Sequence, residues 1–361
     1  MSKEMKCLVD SLREKGYDRL KRYPLRKYLF SVPLILNEIG VFSRFSLNGN
    51  NIFSISLKPT LYLKLGLDKG LNFIRDAFFI NKDFSIKEWE RFFTKNVIDG
   101  WISEGMICEI EEKIWRFAYR IVPYNGLYFI TSRFDRTDPG FTFLSYDSLY
   151  FASFLKRRLN DLSFYFENGI DLCCGVGVQA ISIAHFCKNV IGTDINKKAV
   201  ELARLNASLN NVRNCNFTCA SLFEKADTRF DLIVSNPPFI SFRHTDAGPV
   251  DSDGGEPFGL GITLNILSEM DKRLTSKGRA FIITRSAVVK GKDYLFSHLR
   301  EYLPEGLGCA YHYVSDSINS ISLDENKMGI SGYRHVIMEI SRGGNNKFIR
   351  YPFFHRKTSV F

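Results

Sequence analysis

Apolar and polar segments alternate regularly in the second half of the chain. Two segments there, 178–187 and 196–210, repeat their apolar residues at the spacing of a helix. The strand-like apolar runs are 169–174, 189–195, 215–220, 230–235, 279–286, 308–314 and 333–341. Because strands that alternate with helices build βαβ units, this pattern predicts an α/β fold with a Rossmann-like seven-stranded sheet and helices on both faces.

The first part of the chain has a different texture. Three short helical patterns lie at 69–80, 85–95 and 97–107. Residues 115–133 then predict two strands joined across 123–126, where Asn125-Gly126 is a turn signal. This layout resembles a winged helix, an arrangement that binds DNA in other proteins. The helices are rich in aromatic residues and poor in Lys and Arg, so we favour a packing or substrate-gating role.

The two textures predict two domains. Residues 1–140 form an N-terminal auxiliary α+β domain, and residues 141–361 form the α/β domain. The linker is expected near 135–150, which contains a Pro-Gly pair. Asp147 or Ser148 is expected to N-cap the helix that leads into the first strand of the sheet.

Charge adds a question about partners. The 361-residue chain has a net charge of +10, and its basic residues are concentrated at the two ends. Residues 1–30 hold nine Lys/Arg against four acids, and residues 341–361 hold five Lys/Arg and no acid. A basic balance fits a polyanion, but no Lys/Arg cluster is interleaved with stacking aromatic residues. Nucleic acid therefore stays open as a partner, behind a small molecule, a peptide or a protein.

The cellular setting follows from the apolar runs and the cysteines. No apolar run approaches the ~20 residues of a membrane span, so no membrane partner is expected. The charged start of the chain does not resemble a signal peptide. Eight cysteines occur without a CxxC pair, which argues against a zinc site or a disulfide framework. We expect free thiols and a cytoplasmic location.

A glycine loop and a distant acid predict a nucleotide cofactor. The first strand of the sheet is followed by Gly175 and Gly177 and then at once by a helix. Such a turn lets the backbone approach a ligand and points helix N–H groups at it. Asp194 ends the next strand, 23 residues after Asp171. An acid at that place holds a ribose diol in nucleotide-binding α/β folds.

Four stretches carry a resemblance to a known family. They are "DLCCGVGV", "VIGTDI", "CASLFE" and "DLIVSNPPF". Together they resemble the class I S-adenosylmethionine (SAM)-dependent methyltransferases. More narrowly, they resemble the small methyltransferase domain group, which includes release-factor glutamine and ribosomal RNA guanine-N2 methyltransferases. The resemblance covers roughly residues 145–341 and implies SAM as the cofactor.

The resemblance also implies residue roles. Asp171 would bind the methionine part of SAM, Gly175 and Gly177 would form the loop beneath it, and Asp194 would accept from both ribose hydroxyls. The cofactor-binding set implied by the resemblance is Asp171, Cys173, Gly175, Gly177, Asp194, Ile195, Ser221, Leu222 and Asn236. Two positions depart from the pattern. Cys173 replaces the first glycine of the loop, and Ser221 replaces an acid that binds the adenine amino group in many members.

The corner Asn236-Pro237-Pro238-Phe239 predicts the catalytic site. A conjugated nitrogen is a poor nucleophile because its lone pair is delocalised. The Asn236 side-chain oxygen and the Pro237 carbonyl can accept hydrogen bonds from its two N–H groups and free that lone pair. The two prolines fix this geometry before substrate arrives, and Phe239 can stack on the planar group.

A glycine-rich loop with four acids follows this corner. Its acids are Asp246, Asp251, Asp253 and Glu256, and His244 precedes them. Their spacing does not match the twelve-residue calcium loop, so we expect no metal and favour a flexible lid over the acceptor site.

Several functions remain open at this point. The leading one is SAM-dependent N-methylation of a planar amino or amide nitrogen in a small molecule, a peptide or a protein glutamine. RNA or DNA base methylation is the first alternative. The others are cleavage of a different carbon–sulfur bond of SAM, which releases methylthioadenosine, and nucleic-acid binding with a relict cofactor domain.

Overall fold

The computed structural model describes residues 2–17, 69–133, 142, 144–226, 228–241, 253–317, 326–344 and 346–350. The predicted domain boundary at 140/141 and much of the predicted linker lie outside the described residues. So do His244, Asp246, Asp251 and most of the two basic ends. No helix in the described ranges is long and apolar enough to cross a membrane.

The described residues of the first part contain four helical segments and five strands. They are α1 (Ser2–Glu14), α2 (Lys69–Ile74, continued by a π-helical turn at Arg75–Ile80), β1 (Phe84–Ser85), α3 (Ile86–Glu90), α4 (Lys95–Ser103), β2 (Ile107–Glu111), β3 (Ile114–Phe117), β4 (Arg120–Tyr124) and β5 (Leu127–Thr131). Strands β1, β3 and β2 form a three-stranded sheet in that order, and β4 pairs with β5. The order helix, strand, two helices and hairpin is that of a winged helix.

Two details of this region differ from the prediction. The third helix ends at Ser103, because Gly105 takes a positive φ of 67° and Ile107 already begins β2. Residues 114–131 form three strands rather than two, since β3 belongs to the wing hairpin. The Asn-Gly turn lies where predicted, with positive φ at Asn125 (47°) and Gly126 (80°).

The aromatic residues of this unit pack against each other. Phe78, Trp89 and Phe117 are completely buried. Phe78 meets Trp89 and Phe117 edge-on at centroid distances of 5.6 and 4.8 Å, the geometry that aromatic quadrupoles favour. These rings therefore form a core.

The second part contains the large sheet. Its elements are α5 (Tyr146–Leu162), β6 (Phe166–Leu172), α6 (Val178–Ile183), β7 (Cys187–Asp194), α7 (Lys197–Leu209), β8 (Cys215–Cys219), β9 (Phe230–Ser235), α8 (Gly261–Arg273), β10 (Leu274–Val289), β11 (Lys292–Asp293), α9 (Tyr294–Ser297), α10 (Leu299–Tyr302), β12 (Leu307–Ser317), β13 (Ile330–Arg342) and β14 (Lys347–Arg350). All seven predicted strands of the α/β fold are present.

The strand order explains where a ligand can bind. The sheet runs β14-β12-β13-β10-β9-β6-β7-β8, and β11 pairs with β10. Strands β6 to β10 are parallel to their neighbours in that run, whereas β13 is antiparallel to β10 and β12. The chain leaves β6 on one side towards β7 and returns on the other at β9. This switch point is where open α/β sheets bind ligands, beyond the carboxyl ends of the strands.

The sheet has nine strands rather than the seven expected. The additional strands are β11, of two residues, and β14, of four. Segments this short carry almost no hydrophobic periodicity, so their pairing depends on the strand beside them.

The two parts of the chain are joined by side-chain hydrogen bonds. The amide of Asn206 on α7 accepts from Ile130 N at 2.7 Å and donates to Ile130 O at 3.0 Å. The same amide nitrogen donates to Val176 O at 3.0 Å. Asn206 is fully buried, so it ties the β4–β5 hairpin to the loop after β6.

Candidate active site

Three residues of the loop after β6 have a left-handed backbone conformation. Cys173, Gly175 and Gly177 have φ angles of 55°, 52° and 84°. A Cβ on Gly177 would lie 3.1 Å from Ala203 and from the Phe217 ring, so glycine is needed there for close packing. A Cβ on Gly175 would meet nothing within 4 Å among the described residues. The loop thus leaves open space above Gly175, at the carboxyl edge of the sheet.

Cys173 occupies the position of the first loop glycine. Its backbone adopts a left-handed conformation despite the Cβ. Burial raises the pKa of the Cys173 thiol, and the carboxylates of Asp194 and Asp171 raise it further. The thiol therefore keeps its proton and does not act as a nucleophile.

Asp171 lies beneath the loop and is completely buried. Its Oδ2 accepts a hydrogen bond from Ala180 N, in the first turn of α6, at 2.9 Å. Its Oδ1 is buried and has no hydrogen-bond partner among the described residues. Burial raises the pKa of Asp171 well above its usual range, the Ala180 N–H lowers it, and the nearby Asp194 raises it. A buried carboxylate with one unused oxygen is suited to a cationic or hydrogen-donating ligand.

Asp194 is held at the end of β7 by two backbone donors. Gly175 N donates to its Oδ2 at 2.8 Å, and Asn196 N donates to its Oδ1 at 2.9 Å. Each carboxylate oxygen can accept a further bond, so both can receive a hydroxyl of a diol. Next to it, the side chain of Ile195 is 69% exposed, which offers an apolar surface to a planar ring.

The segment after β8 shapes the far side of this space. Ser221 is exposed, and Leu222 has a strained φ of 45°. Leu222 O accepts a bond from Thr193 Oγ1 at 2.8 Å, which ties this turn to the end of β7. The carboxylate of Glu224 accepts from Ser221 N at 3.1 Å. Glu224 thus places a carboxylate beside the backbone of Ser221.

The Asn-Pro-Pro-Phe corner directly follows β9, beside the loop that follows β6. Leu172 pairs with Ser235, and Ser235 Oγ donates to Leu172 O at 2.9 Å. Asn236 and Cys173, the next residues after the two strands, therefore leave the sheet side by side. Pro237 is buried, and Phe239 is half-buried.

The ring of Phe239 contacts His335 edge-on, with centroids 5.9 Å apart. Burial and the positive charge of Arg285 lower the pKa of His335 to about 3. The imidazole is thus neutral at physiological pH and forms an uncharged wall behind Phe239.

The described half of the acidic loop supports this corner. Gly254 N donates to Ile240 O at 2.8 Å. A Cβ on Gly254 would lie 2.7 Å from Pro238 O, and one on Gly259 would lie 2.4 Å from Phe239 O. Residues 253–261 therefore pack directly on the corner, and the flexible lid expected for this loop stays a prediction.

The two described acids of this loop bind its own backbone. Asp253 Oδ1 accepts from Gly255 N at 3.0 Å, and Glu256 Oε2 accepts from Phe258 N at 3.2 Å. Within the described ranges, no group of three metal-ligating side chains is present.

Sequence reasoning missed three residues at this site. Asp147 and Ser148 were expected to cap α5, but the helix begins at Tyr146 with Ser145 as its N-cap. Their side chains instead accept from Asn236 Nδ2, each at 2.9 Å. Gln179 donates to Ser148 O at 2.9 Å. Asp147 and Ser148 were recognisable in the sequence as a polar pair at the start of a helix, but this pattern predicted only a helix N-cap.

Comparison with known proteins finds a similar family and similar proteins for this part of the chain. Residues 145–302 match the family described as methyltransferase small domain. A Methanocaldococcus jannaschii protein, assigned as a protein N5-glutamine methyltransferase, is 48% identical over 128 residues, or 33% of this chain and 62% of that protein. The release factor glutamine methyltransferase of Aliivibrio fischeri is 34% identical over 141 residues, or 38% of this chain and 42% of that protein.

The chain covers less than two thirds of the length of both relatives. Among solved structures, an rRNA methylase from Streptococcus thermophilus aligns with a TM-score of 0.36 and 14% identity, over 52% of this chain and 94% of that one. The family match agrees with the resemblance that the four sequence stretches predicted. Residues 145–302 of this chain are thus similar to the methyltransferase small domain family.

Proposed function

We propose that this chain is a SAM-dependent methyltransferase that methylates the side-chain amide nitrogen of a protein glutamine. Asn236 carries the proposal. Its amide nitrogen is already bound by Asp147 and Ser148, and its Oδ1 is buried without a partner among the described residues. An acceptor oxygen held ready beside the cofactor loop suits a substrate that offers N–H groups.

The residues around the loop fit SAM. The unused Oδ1 of Asp171 can receive the cationic amino group of the methionine part. Asp194 can accept from the ribose hydroxyls, and the exposed Ile195 can cover the adenine ring. Open space lies above Gly175, whose backbone N–H is bound to Asp194. When bound, SAM supplies an electrophilic methyl group.

The chain's own residues then prepare the acceptor nitrogen. Asn236 Oδ1 and the Pro237 carbonyl accept hydrogen bonds from the two N–H groups of the substrate amide. This draws the nitrogen towards a tetrahedral geometry and releases its lone pair from conjugation. The geometry exists before substrate binds, because two prolines and residues 253–261 hold the corner in place. Phe239 packs against the planar amide.

Glutamine is favoured over the other acceptors by two observations. The relatives that match this chain are named for glutamine methylation. Among the described residues of the first unit, the aromatic side chains of Phe78, Trp89 and Phe117 are buried in a core of their own, so they do not line a pocket for an apolar metabolite.

The winged-helix-like unit offers little to nucleic acid. Its wing hairpin carries Glu109, Glu111 and Glu112 against Lys113 and Arg116, and Arg116 is already paired with Asp83, so the wing would repel phosphate. We propose that residues 1–140 gate or bind the substrate protein.

A labelled-methyl assay tests the proposal. The protein is incubated with methyl-labelled SAM and a release factor as acceptor, and mass spectrometry locates the added methyl group. We expect methylation of a glutamine side chain and release of S-adenosylhomocysteine. If a lysate is used instead and the label enters RNA or DNA but not protein, the methyl acceptor is nucleic acid and the proposed protein acceptor is wrong. If methylthioadenosine is released, the enzyme cleaves a different carbon–sulfur bond of SAM and the proposed methyl transfer is wrong.

The cellular location is part of the same proposal. Burial raises the pKa of the Cys187 and Cys215 thiols to about 12 in each case, and both are free. Such thiols are compatible with a reducing cytoplasmic setting. Cell fractionation with an antibody to the native protein tests this location.

A further inference from the structure

The amide of Asn236 is held by two side chains from the start of α5. Asn236 Nδ2 lies 2.9 Å from Asp147 Oδ2 and 2.9 Å from Ser148 Oγ. These residues precede Asn236 by 89 and 88 positions. Both hydrogens of the amide nitrogen therefore have acceptors that the corner itself does not supply.

The carboxylate of Asp147 decides which way this amide points. The oxygens of a carboxylate accept hydrogen bonds and do not donate them. If the amide were turned by 180°, Oδ1 would face the carboxylate oxygen, and the two acceptors would repel each other. Ser148 cannot make this choice alone, because a hydroxyl either donates or accepts. Asp147 thus selects the orientation that directs Oδ1 away from α5.

The orientation matters because Oδ1 is the oxygen left for the substrate. It is buried and has no partner among the described residues. An amide in the opposite orientation would present two N–H donors to the substrate N–H groups. That arrangement would repel the acceptor nitrogen and could not release its lone pair.

The start of α5 is itself anchored to the cofactor loop. Gln179 Nε2 donates to Ser148 O at 2.9 Å. Gln179 lies in the first turn of α6, two residues after Gly177, and is nearly fully buried. One set of contacts therefore connects the loop beneath the cofactor, the start of α5 and the acceptor amide.

We propose that Asp147 is a positioning residue that, together with Ser148, fixes the Asn236 amide in the orientation required for methyl transfer. This inference rests on the proposed function of Asn236. In this role Asp147 acts through the amide of Asn236, which it contacts directly.

A simpler role for Asp147 is stabilisation of α5, because an acid in the first turn of a helix interacts favourably with the helix dipole. Two substitutions separate the roles. Asp147→Glu keeps the charge in the first turn but moves the carboxylate by one methylene group. Asp147→Asn keeps the size but supplies an amide that can donate or accept, so both orientations of Asn236 become possible. Asp161→Asn, an exposed position on the same helix, is the matched control.

The first experiment measures kcat and the dissociation constant for SAM separately in each variant. For Asp147→Asn we expect kcat to fall about tenfold, the effect of one lost orienting hydrogen bond of about 1.4 kcal/mol. The dissociation constant for SAM should stay the same, and Asp161→Asn should match the parent protein. Asp147→Glu should stay impaired. Full activity in Asp147→Glu together with a lowered melting temperature in Asp147→Asn would assign Asp147 to helix stability and overturn the inference.

A double-mutant cycle then tests the pathway of the effect. If Asp147 acts only through Asn236, Asp147→Asn should reduce turnover in the parent protein but cause no further loss in the Asn236→Ala protein. Additive losses would overturn the inference. If Asn236→Ala alone had no effect, the proposed role of Asn236 would fail instead, so the two failures are distinguishable.

A spectroscopic readout does not depend on activity. In protein labelled with ¹⁵N-asparagine, the side-chain NH₂ pair of Asn236 is identified by its loss in Asn236→Ala. We expect this pair to shift and broaden in Asp147→Asn, because two orientations interconvert, and to stay unchanged in Asp161→Asn. An unchanged, sharp pair in Asp147→Asn would overturn the inference even if no methyl acceptor were known.

Discussion

The backbone N–H of Gly175 donates a hydrogen bond of 2.8 Å to Oδ2 of Asp194. This bond connects the loop after β6 to the end of β7, the two features that the sequence assigned to one cofactor. The loop and the carboxylate of Asp194 therefore form one unit, and a change at either should affect the other.

Asp194→Asn should weaken SAM binding by about 10- to 100-fold. The change removes a charge that accepts ligand hydroxyls, and a charged hydrogen bond contributes about 1.5–3 kcal/mol. It also places an NH₂ group against one of the two backbone donors that now bind the carboxylate. Calorimetric titration with S-adenosylhomocysteine measures the effect. Glu201→Gln, an exposed position on α7, is the control, and equal affinities in the two variants would contradict the assignment.

Asn236→Ala should leave cofactor binding intact and reduce kcat by ~10²-fold or more, as the loss of one preorganised polar contact does in other enzymes. The physical reason is that the substrate N–H groups lose one of their two acceptors. Steady-state kinetics together with a cofactor titration separate the two effects. The exposed Asn189→Ala should behave as the parent protein. Unchanged turnover in Asn236→Ala would remove the residue from the mechanism.

Gly175→Ala and Gly126→Ala form a matched pair. Both glycines have positive φ, 52° and 80°, and a Cβ at either meets nothing within 4 Å among the described residues. Each variant should lose about 1 kcal/mol of unfolding free energy from backbone strain. Only Gly175→Ala should also weaken SAM binding, by about tenfold or more, because its methyl group enters the space assigned to the cofactor. Urea unfolding and cofactor titration of both variants provide the comparison; similar cofactor affinities would place the ligand elsewhere.

Asp171 should make the stability of the ligand-free protein depend on pH. Its pKa is raised in the folded state, chiefly by burial, so the folded protein binds a proton that the unfolded chain has released above the usual pKa of 3.8. The contribution of Asp171 is therefore complete below pH 3.8 and declines as pH rises towards the folded pKa, by up to about 1.4 kcal/mol per pH unit.

The variant Asp171→Asn lacks this titration. Measured by urea unfolding between pH 4.5 and 7.5, the stability of the parent protein should fall relative to that of Asp171→Asn as the pH rises. The exposed Asp161→Asn is the comparison protein. Parallel pH profiles for the parent and Asp171→Asn would show that the folded and unfolded states bind this proton equally.

The sequence predicted the sheet well because its signals are local. Strands such as β9 are continuous buried runs from Leu232 to Val234, and a parallel sheet that is covered on both faces produces this pattern. The wing strands of the first unit were placed less accurately. The β2–β3 hairpin turns at Lys113 with a positive φ of 63°, where the sequence has neither glycine nor asparagine to signal a turn.

The sequence by itself determined the fold class, the glycine loop, the acid at Asp194 and the rigid corner at Asn236, because each depends on residue types and spacings within a few dozen positions. Only the tertiary structure decided how the corner is oriented. Asp147 and Ser148 reach Asn236 across almost 90 positions, because α5 begins at the same edge of the sheet where β9 ends. A hydrogen bond between such distant segments leaves no periodic trace in the sequence, since it depends only on where the folded chain places them.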